Sequence, residues 1–272
     1  MSTHTQFAKS PLDKAIQLAR DSATKGAGAV PVKLVVCIPN SGMVHTDFMM
    51  CMLHMTMFVM QNQLPTPFRT GNHMQVFCSR SSMLPRQRQE LCEDALEWGA
   101  DWILFLDSDQ LFPANTAHRL MQHGKEVVAC NIPTKLLPPH TNPSACQPDP
   151  ENAEGGVFVY TTADKKGLEK VYRVGCGIMM LRASVFKDMP KPWFNFDYHE
   201  GRNQFMGEDW WLCRQLERKG IDIWIDHDLS KEIGHEGLLI FTTQMTEVSK
   251  KLQEANPDVT GQRGVARIIT SR

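Results

Sequence analysis

Five consecutive apolar residues, Trp102 to Leu106, lead directly into the acidic triplet Asp107-Ser108-Asp109. An unbroken apolar run of this length is typical of a strand that is buried on both faces. Similar short runs occur at Val32 to Ile38 and at Glu126 to Cys130, and stretches with helical periodicity separate them. The pattern therefore predicts an α/β fold whose mostly parallel sheet is flanked by helices.

Changes in composition divide the chain. We predict an N-terminal extension at 1–30 with a short helix between Ser10 and Gly26, an α/β half of the nucleotide-binding type at 31–130, and a second half with a smaller mixed sheet at 155–242. A C-terminal helix and tail follow at 243–272. Between the halves, the segment 131–154 holds six of the 16 prolines, which predicts a long loop or mobile lid over the site.

The overall charge excludes little. There are 29 Lys and Arg against 30 Asp and Glu, a net charge of −1, so nothing global favours nucleic acid or an anionic membrane. Met43 to Met60 includes seven methionines and approaches the length of a membrane span. Because Asp47, His45 and His54 interrupt it, we predict a helix buried against the sheet.

The eight cysteines lie at least 14 residues apart along the chain, which excludes a CxxC pair. Most sit in apolar surroundings and are predicted to be packing residues. Unpaired thiols and a polar N-terminus favour a cytoplasmic location, which is host cytoplasm if the protein is viral.

Asp107 and Asp109 stand at the carboxyl end of a predicted buried strand, where ligands bind in open α/β sheets. Two carboxylates at that place suit Mg²⁺ or Mn²⁺ bound to phosphate oxygens. The alternative is a solvated strand end with an Asp turn.

A second candidate site lies at the start of a predicted helix, in the residues Gly207-Glu208-Asp209-Trp210-Trp211. A carboxylate there could act as a general base beside indole rings that stack on a sugar. Acids at a helix start also complement the helix dipole, and the tryptophans could belong to the core.

Histidine and arginine supply further candidates. His235 is flanked by Gly234 and Glu236-Gly237 and could complete a metal shell, although an isolated histidine is usually a surface residue. The arginines 80, 86 and 88 precede the acidic strand and could contact phosphate or simply form a solvated face.

Taken in order, these motifs resemble the GT-A fold glycosyltransferases, particularly those similar to family two of the small viral or bacterial type. The resemblance covers roughly 32–241 and implies one glycosyltransferase domain at 31–242, with the nucleotide-binding half at 31–130 and the acceptor half at 155–242. It is carried by Met83-Leu84-Pro85-Arg86-Gln87-Arg88, by Glu97 to Asp109, by Gly175-Cys176-Gly177-Ile178-Met179-Met180, by Gly207-Glu208-Asp209 and by Gly234-His235-Glu236-Gly237. The Gln-x-x-Arg-Trp box of processive synthases is missing, which argues against polymerisation.

The resemblance implies roles for these residues. Asp109 and His235 would bind Mn²⁺ or Mg²⁺ directly, and Asp107 would contact metal through water or the ribose. Asp209, with Glu208 less favoured, would take the acceptor proton. The nucleotide-sugar site would include Pro39, Asn40, Ser41, Arg80, Arg86, Arg88, Asp107 and Ser108, and the acceptor side Gly175, Cys176, Gly177, Trp193, Trp210 and Trp211.

The sequence thus predicts a metal-dependent, inverting and non-processive glycosyltransferase with a nucleotide-diphosphate sugar donor, UDP-linked by preference. Its acceptor hydroxyl could belong to a glycan, a protein or a hydroxymethylated DNA base. The alternatives are a non-catalytic nucleotide-sugar or glycan-binding module and a haloacid-dehalogenase-type phosphatase, whose strand also ends in Asp-x-Asp. Leu111 departs from the phosphatase pattern, in which Thr or Val follows.

Overall fold

The structure, a computed structural model, describes residues 31–65, 71–150, 152–200 and 203–256. The helix predicted between Ser10 and Gly26, and the tail from 257 onward, lie outside the described residues.

The described strands are β1 (Val32–Asn40), β2 (Asn72–Arg80), β3 (Trp102–Leu106), β4 (Gln110–Leu111), β5 (Val127–Ala129), β6 (Cys146–Asp149), β7 (Asn152–Phe158), β8 (Leu168–Val171), β9 (Ile178–Arg182), β10 (Asp197–His199), β11 (Gln204–Met206), β12 (Ile223–Asp226), β13 (Gly234–Glu236) and β14 (Ile240–Phe241). The helices are α1 (Thr46–Gln61), α2 (Leu84–Trp98), α3 (Thr116–Gln122), α4 (Glu208–Arg218), α5 (His227–Ser230) and α6 (Thr243–Ala255), with a 3-10 turn at Ala183–Phe186.

Seven strands form the central sheet in the order β2-β1-β3-β9-β5-β12-β8. β9 runs antiparallel to both β3 and β5, and β8 runs antiparallel to β12, whereas the other pairings are parallel. Five strands therefore share one direction. This confirms the predicted mostly parallel, Rossmann-like sheet flanked by helices.

The side chains of β3 point alternately to the two faces of the sheet, which explains why both faces are covered. Ile103 and Phe105 pack into one core with Leu91 of α2, while Leu104 lies in the other core with Met55 of α1. All five residues of the strand are buried. Its apolar run therefore supplies two hydrophobic layers at once.

Within the described part of the chain, three smaller antiparallel sheets accompany the central one, in place of the single mixed sheet that we predicted. One of them joins β14, β13 and β4, and its register sets His235 opposite Gln110. It brings a late part of the chain to the carboxyl end of β3.

The prediction for the methionine-rich segment is only partly right. α1 buries Phe48, Met55 and Val59 against the sheet, but Met49 and Met57 on its outer side are about half exposed. The apolar content of the segment therefore exceeds what one contact face can bury. Among the described helices, none has the length and apolar content that crossing a bilayer would require.

The prediction for the cysteines is confirmed. All eight are free thiols, and six of them are buried. The proline-rich segment is not a loop throughout, because it contains β6 and a bridge between Pro133 and Pro143.

The two-sided burial of β3 leads to a stability prediction. Leu104→Ala should lower the free energy of unfolding by about 3 kcal/mol, because it leaves a cavity in a fully buried layer. Leu53→Ala, on the exposed side of α1, should change it by less than about 0.5 kcal/mol. Urea denaturation of both variants measures the difference, and equal losses would contradict the packing described.

Candidate functional site

The acidic triplet forms a tight turn at the carboxyl end of β3. The Asp107 amide donates to Gly177 O over 2.9 Å, and the Gln110 amide donates to Asp107 O over 3.1 Å. β1 lies beside β3 in parallel register, so the loop after Asn40 leaves the sheet at the same edge. The site therefore lies where ligands are expected in an α/β fold.

A buried arginine connects this turn to the start of α4. Arg88 is 2% exposed, and its Nη2 donates to Asp107 Oδ1 over 2.8 Å while its Nε donates to Glu208 Oε1 over 3.2 Å. Burial by itself lowers the pKa of the guanidinium, but Asp107 and Glu208 raise it above its usual value. Arg88 is therefore a permanent cation that holds two carboxylates from distant parts of the chain.

The three candidate arginines do not share one face. Arg86 is exposed and pairs with Glu90 over 2.7 Å on the same helix, whereas Arg88, two residues later, points into the core. Arg80 is exposed at the end of β2, where its side chain lies against Gly42. Phosphate contact remains a prediction for Arg80 and Arg86, while Arg88 is occupied by its carboxylate partners.

Asp209 stands beside Glu208 in the first turn of α4. Burial, followed by the charge of Glu208, raises the pKa of Asp209 to about 7. Its Oδ1 accepts a hydrogen bond from the Trp210 amide over 2.7 Å. A carboxyl group with this pKa is suited to accept a proton near neutral pH.

The Gly175-Cys176-Gly177 segment lies between the two acidic elements. A Cβ at Gly177 would lie 3.2 Å from Asp107 Oδ2 and 2.7 Å from Ile132 Cδ1, and one at Gly175 would lie 3.5 Å from Asp209 Oδ2. Cys176 itself is buried, and burial raises the pKa of its thiol well above the usual value. Gly177 thus leaves space for Ile132 and Asp107, whereas a side chain at Gly175 would make only ordinary contact with Asp209, and the cysteine packs in the core.

Asp109 has different partners from Asp107. Its Oδ2 lies 2.6 Å from Lys135 Nζ, and its Oδ1 lies 3.5 Å from His235 Nε2. Burial raises the pKa of Asp109, but hydrogen bonds and charge from His235 and Lys135 outweigh burial and hold it well below its usual range. Asp109 is therefore ionised.

The contacts of His235 bear on metal binding. Its Nδ1 lies 2.8 Å from Pro133 O, and because a carbonyl only accepts, that nitrogen carries a proton. Nε2 is therefore the ring nitrogen that faces the Asp109 carboxylate, and it is the nitrogen that would exchange its proton for a metal ion. Backbone support of this kind is what orients histidine ligands in metal sites.

Within the described residues, no group of three or more His, Cys, Asp and Glu side chains is arranged to hold a metal ion. Asp109 and His235 alone are 3.5 Å apart, close to the separation of neighbouring ligands around one cation. Mg²⁺ commonly takes only one or two protein ligands and completes its shell with water and substrate phosphates. The pair fits a cation that arrives with a phosphorylated ligand, whereas Asp107 is engaged with Arg88.

The predicted nucleotide-side loop follows β1. Asn40 Oδ1 accepts from the Gly42 amide over 2.8 Å, and Asn40 O accepts from Gln87 Nε2 over 3.1 Å. Pro39 is buried, Ser41 is exposed, and Ser108 is half-buried. These contacts fix the loop beside the acidic turn.

The candidate tryptophans differ in exposure. Trp193 is 5% exposed and belongs to the core, so the structure does not place it at a surface. Trp210 stacks on Arg173, with 5.2 Å between the guanidinium carbon and the ring centroid. Trp211 is partly exposed and donates from Nε1 to Pro192 O over 2.9 Å.

Sequence reasoning missed two features of the site. Lys135 belongs to no recognisable motif, because it is a single cation in a proline-rich segment. Tyr198 and Phe205 form an exposed cross-strand pair with ring centroids 5.0 Å apart, on the β10–β11 hairpin that leads into Glu208. The sequence pattern that could have indicated this pair is the alternation of aromatic residues in Phe196-x-Tyr198, which precedes a second short strand.

Comparisons with known proteins add little. No protein-family model matches the sequence, and no curated protein matches it. Among solved structures, the chain is similar to A197 from STIV, with 16% sequence identity and a TM-score of 0.48 over 79% of this chain and 91% of that chain. Function has to be inferred from the side chains of this chain.

Arg88 offers a sharp test of the buried network. Arg88→Met should lower the free energy of unfolding by about 3–5 kcal/mol, because Asp107 and Glu208 lose their buried counter-charge. Arg86→Met, two residues away on the exposed face of the same helix, should change it by less than about 0.5 kcal/mol. Chemical denaturation of both variants checks this, and a fully stable Arg88→Met protein would contradict it.

The pKa of Asp209 predicts a pH dependence of stability. The folded protein keeps this proton up to about pH 7, whereas the unfolded chain releases it near pH 4. The folded state therefore binds more protons in this range, and the contribution of Asp209 to the free energy of unfolding falls as pH rises from about 4 to about 7. Asp209→Asn should gain stability relative to wild type over the same range. A difference independent of pH would contradict the raised pKa.

Proposed function

We propose that this chain is a metal-dependent glycosyltransferase that moves a sugar from a nucleoside-diphosphate sugar, UDP-linked by preference, to a hydroxyl acceptor. One observation carries the proposal: Arg88 joins Asp107 at the sheet edge to Glu208 at the start of α4. This pairing holds a cation-binding turn next to a carboxyl group whose pKa is about 7. The groups that activate the donor then lie next to the group that removes the acceptor proton.

On the donor side, Asp109 and His235 would hold Mn²⁺ or Mg²⁺. When bound, this cation offsets the negative charge that grows on the departing nucleoside diphosphate. Asp107 stays in place because Arg88 binds one of its oxygens. The loop of Pro39, Asn40 and Ser41 borders the nucleotide, and Arg80 at the neighbouring strand end is available to phosphate.

On the acceptor side, Asp209 accepts the proton of the attacking hydroxyl. The new bond from the acceptor oxygen to the anomeric carbon forms as the bond from that carbon to the diphosphate oxygen breaks. Attack on the face opposite the leaving group inverts the anomeric centre. A base with a pKa near 7 is ionised often enough at neutral pH and still basic enough to be effective.

The acceptor is a glycan, a protein or a hydroxymethylated DNA base, for which partly exposed Trp211 and the Tyr198–Phe205 pair offer stacking surfaces. We place the reaction in the cytoplasm, because eight free thiols suit a reducing compartment. The phosphatase alternative is less favoured, since Leu111 stands where the phosphatase pattern has Thr or Val.

The proposal predicts that the full chain releases nucleoside diphosphate from one of a panel of nucleotide sugars, and that EDTA stops the release. Asp109→Ala should lower the rate about 100-fold or more, because a cation ligand is lost, and should remain folded. Asp209→Asn should lower transfer about 100-fold or more while nucleotide binding persists. For wild type, kcat/KM should rise with pH and level off above about 7.

Several results would overturn the proposal. Full activity of Asp109→Ala in EDTA removes the cation site from the mechanism. Nucleotide-sugar binding without turnover against glycan, protein and modified-DNA acceptors indicates a binding module. Hydrolysis of a phosphate monoester that depends on Asp107 indicates the phosphatase alternative.

A further inference from the structure

The proline-rich segment holds Lys135 in a closed loop. The Thr134 amide donates to Asn142 O over 2.8 Å, and the Asn142 amide donates to Thr134 Oγ1 over 2.9 Å. A backbone bridge between Pro133 and Pro143 lies directly before this pair. The backbone of Lys135 is therefore positioned from both sides of the loop.

The side chain of Lys135 reaches from this loop to the acidic turn. Its stem passes over Gly237, where an added Cβ would lie 3.3 Å from Lys135 Cδ, and its ammonium lies 2.6 Å from Asp109 Oδ2. About a third of both side chains is exposed, at 33% and 29%. Because water reaches the pair, it contributes little net stability and can be exchanged.

The position of Lys135 conflicts with a bare cation at the same carboxylate. A divalent cation on Asp109 and His235 would face the Lys135 ammonium at short range, so the lysine opposes binding of the metal alone. A diphosphate that arrives with the cation reverses this effect. Its negative oxygens attract the ammonium, which needs only a change of rotamer to leave Asp109.

We propose that Lys135 is a phosphate-binding residue of the donor site that exchanges Asp109 for the diphosphate when cation and nucleotide bind together. This rests on the proposed function and deepens it. Lys135 weakens binding of the cation alone and strengthens binding of the nucleotide, so it makes the two ligands bind cooperatively. The bare cation is disfavoured, and the cation–diphosphate pair is selected.

The test uses the full chain, Mn²⁺ and UDP. For Lys135→Met, the affinity for Mn²⁺ alone, measured by electron paramagnetic resonance of free Mn²⁺, should rise about threefold to tenfold. The affinity for UDP at saturating Mn²⁺, measured by calorimetry, should fall about tenfold. Lys135→Arg should retain most of the UDP affinity, because it keeps the charge.

Lys170→Met is the matched control, since Lys170 forms a 2.6 Å ion pair with Asp222 at the far edge of the sheet, and it should alter neither affinity.

The opposite signs of the two shifts make the test decisive. If Lys135→Met binds UDP as tightly as wild type, or if both affinities move in the same direction, the proposed role of Lys135 is wrong. If wild type binds neither Mn²⁺ nor UDP, the proposed function fails instead. Circular dichroism of each variant separates these outcomes from loss of folding.

Discussion

The rest of the site depends on one buried cation. A guanidinium removed from water has to be paired, and Arg88 recruits Asp107 and Glu208 from 19 and 120 positions away along the chain. Asp209 brings a third carboxyl group to the same place. Burial raises the pKa of Asp209 most, and the charge of Glu208 raises it further because one guanidinium cannot balance three carboxylates, so Asp209 keeps a proton up to about pH 7. A group suited to proton transfer thus follows from burial combined with a shortage of positive charge.

Two aspartates separated by a single serine play different physical parts because their partners differ. Asp107 is tied to a cation that cannot leave, since Arg88 belongs to a packed helix and is 2% exposed. Asp109 is tied to Lys135, whose ammonium is partly solvated and can move. The turn therefore combines Asp107, a fixed carboxylate that maintains the shape of the turn, with Asp109, a carboxylate whose partner can be exchanged. Exchange at Asp109 need not disturb the buried network.

Local pattern was enough to predict most strands of the central sheet, most helices and the place of the acidic turn, because each depends on neighbouring residues. The short strands of the smaller sheets, such as β4, β13 and β14, were not predicted. Partners that depend on the whole fold were not predictable. Arg86 and Arg88 are two positions apart, about 200° around a helix, so they cannot share one face. Nothing in the sequence indicates that Arg88 is the buried one or that Glu208 is its partner. Trp193 was a candidate for the acceptor side, yet it is buried in the core. The methionines of α1 were expected in the core, and several lie at the surface, because apolar character alone does not say which face is covered.

The register between β13 and β4 shows why such partners need the three-dimensional structure. His235 stands opposite Gln110 and faces Asp109, while the next residue, Glu236, lies with its Oε1 3.1 Å from His45 Nδ1. Successive strand residues point to opposite faces, so a slip of one position would set a carboxylate against Asp109 in place of an imidazole. The two anions would repel each other, and the slipped register would lose a ligand and gain an electrostatic cost. The same pairing that orders this small sheet therefore also selects which side chain meets the acidic turn.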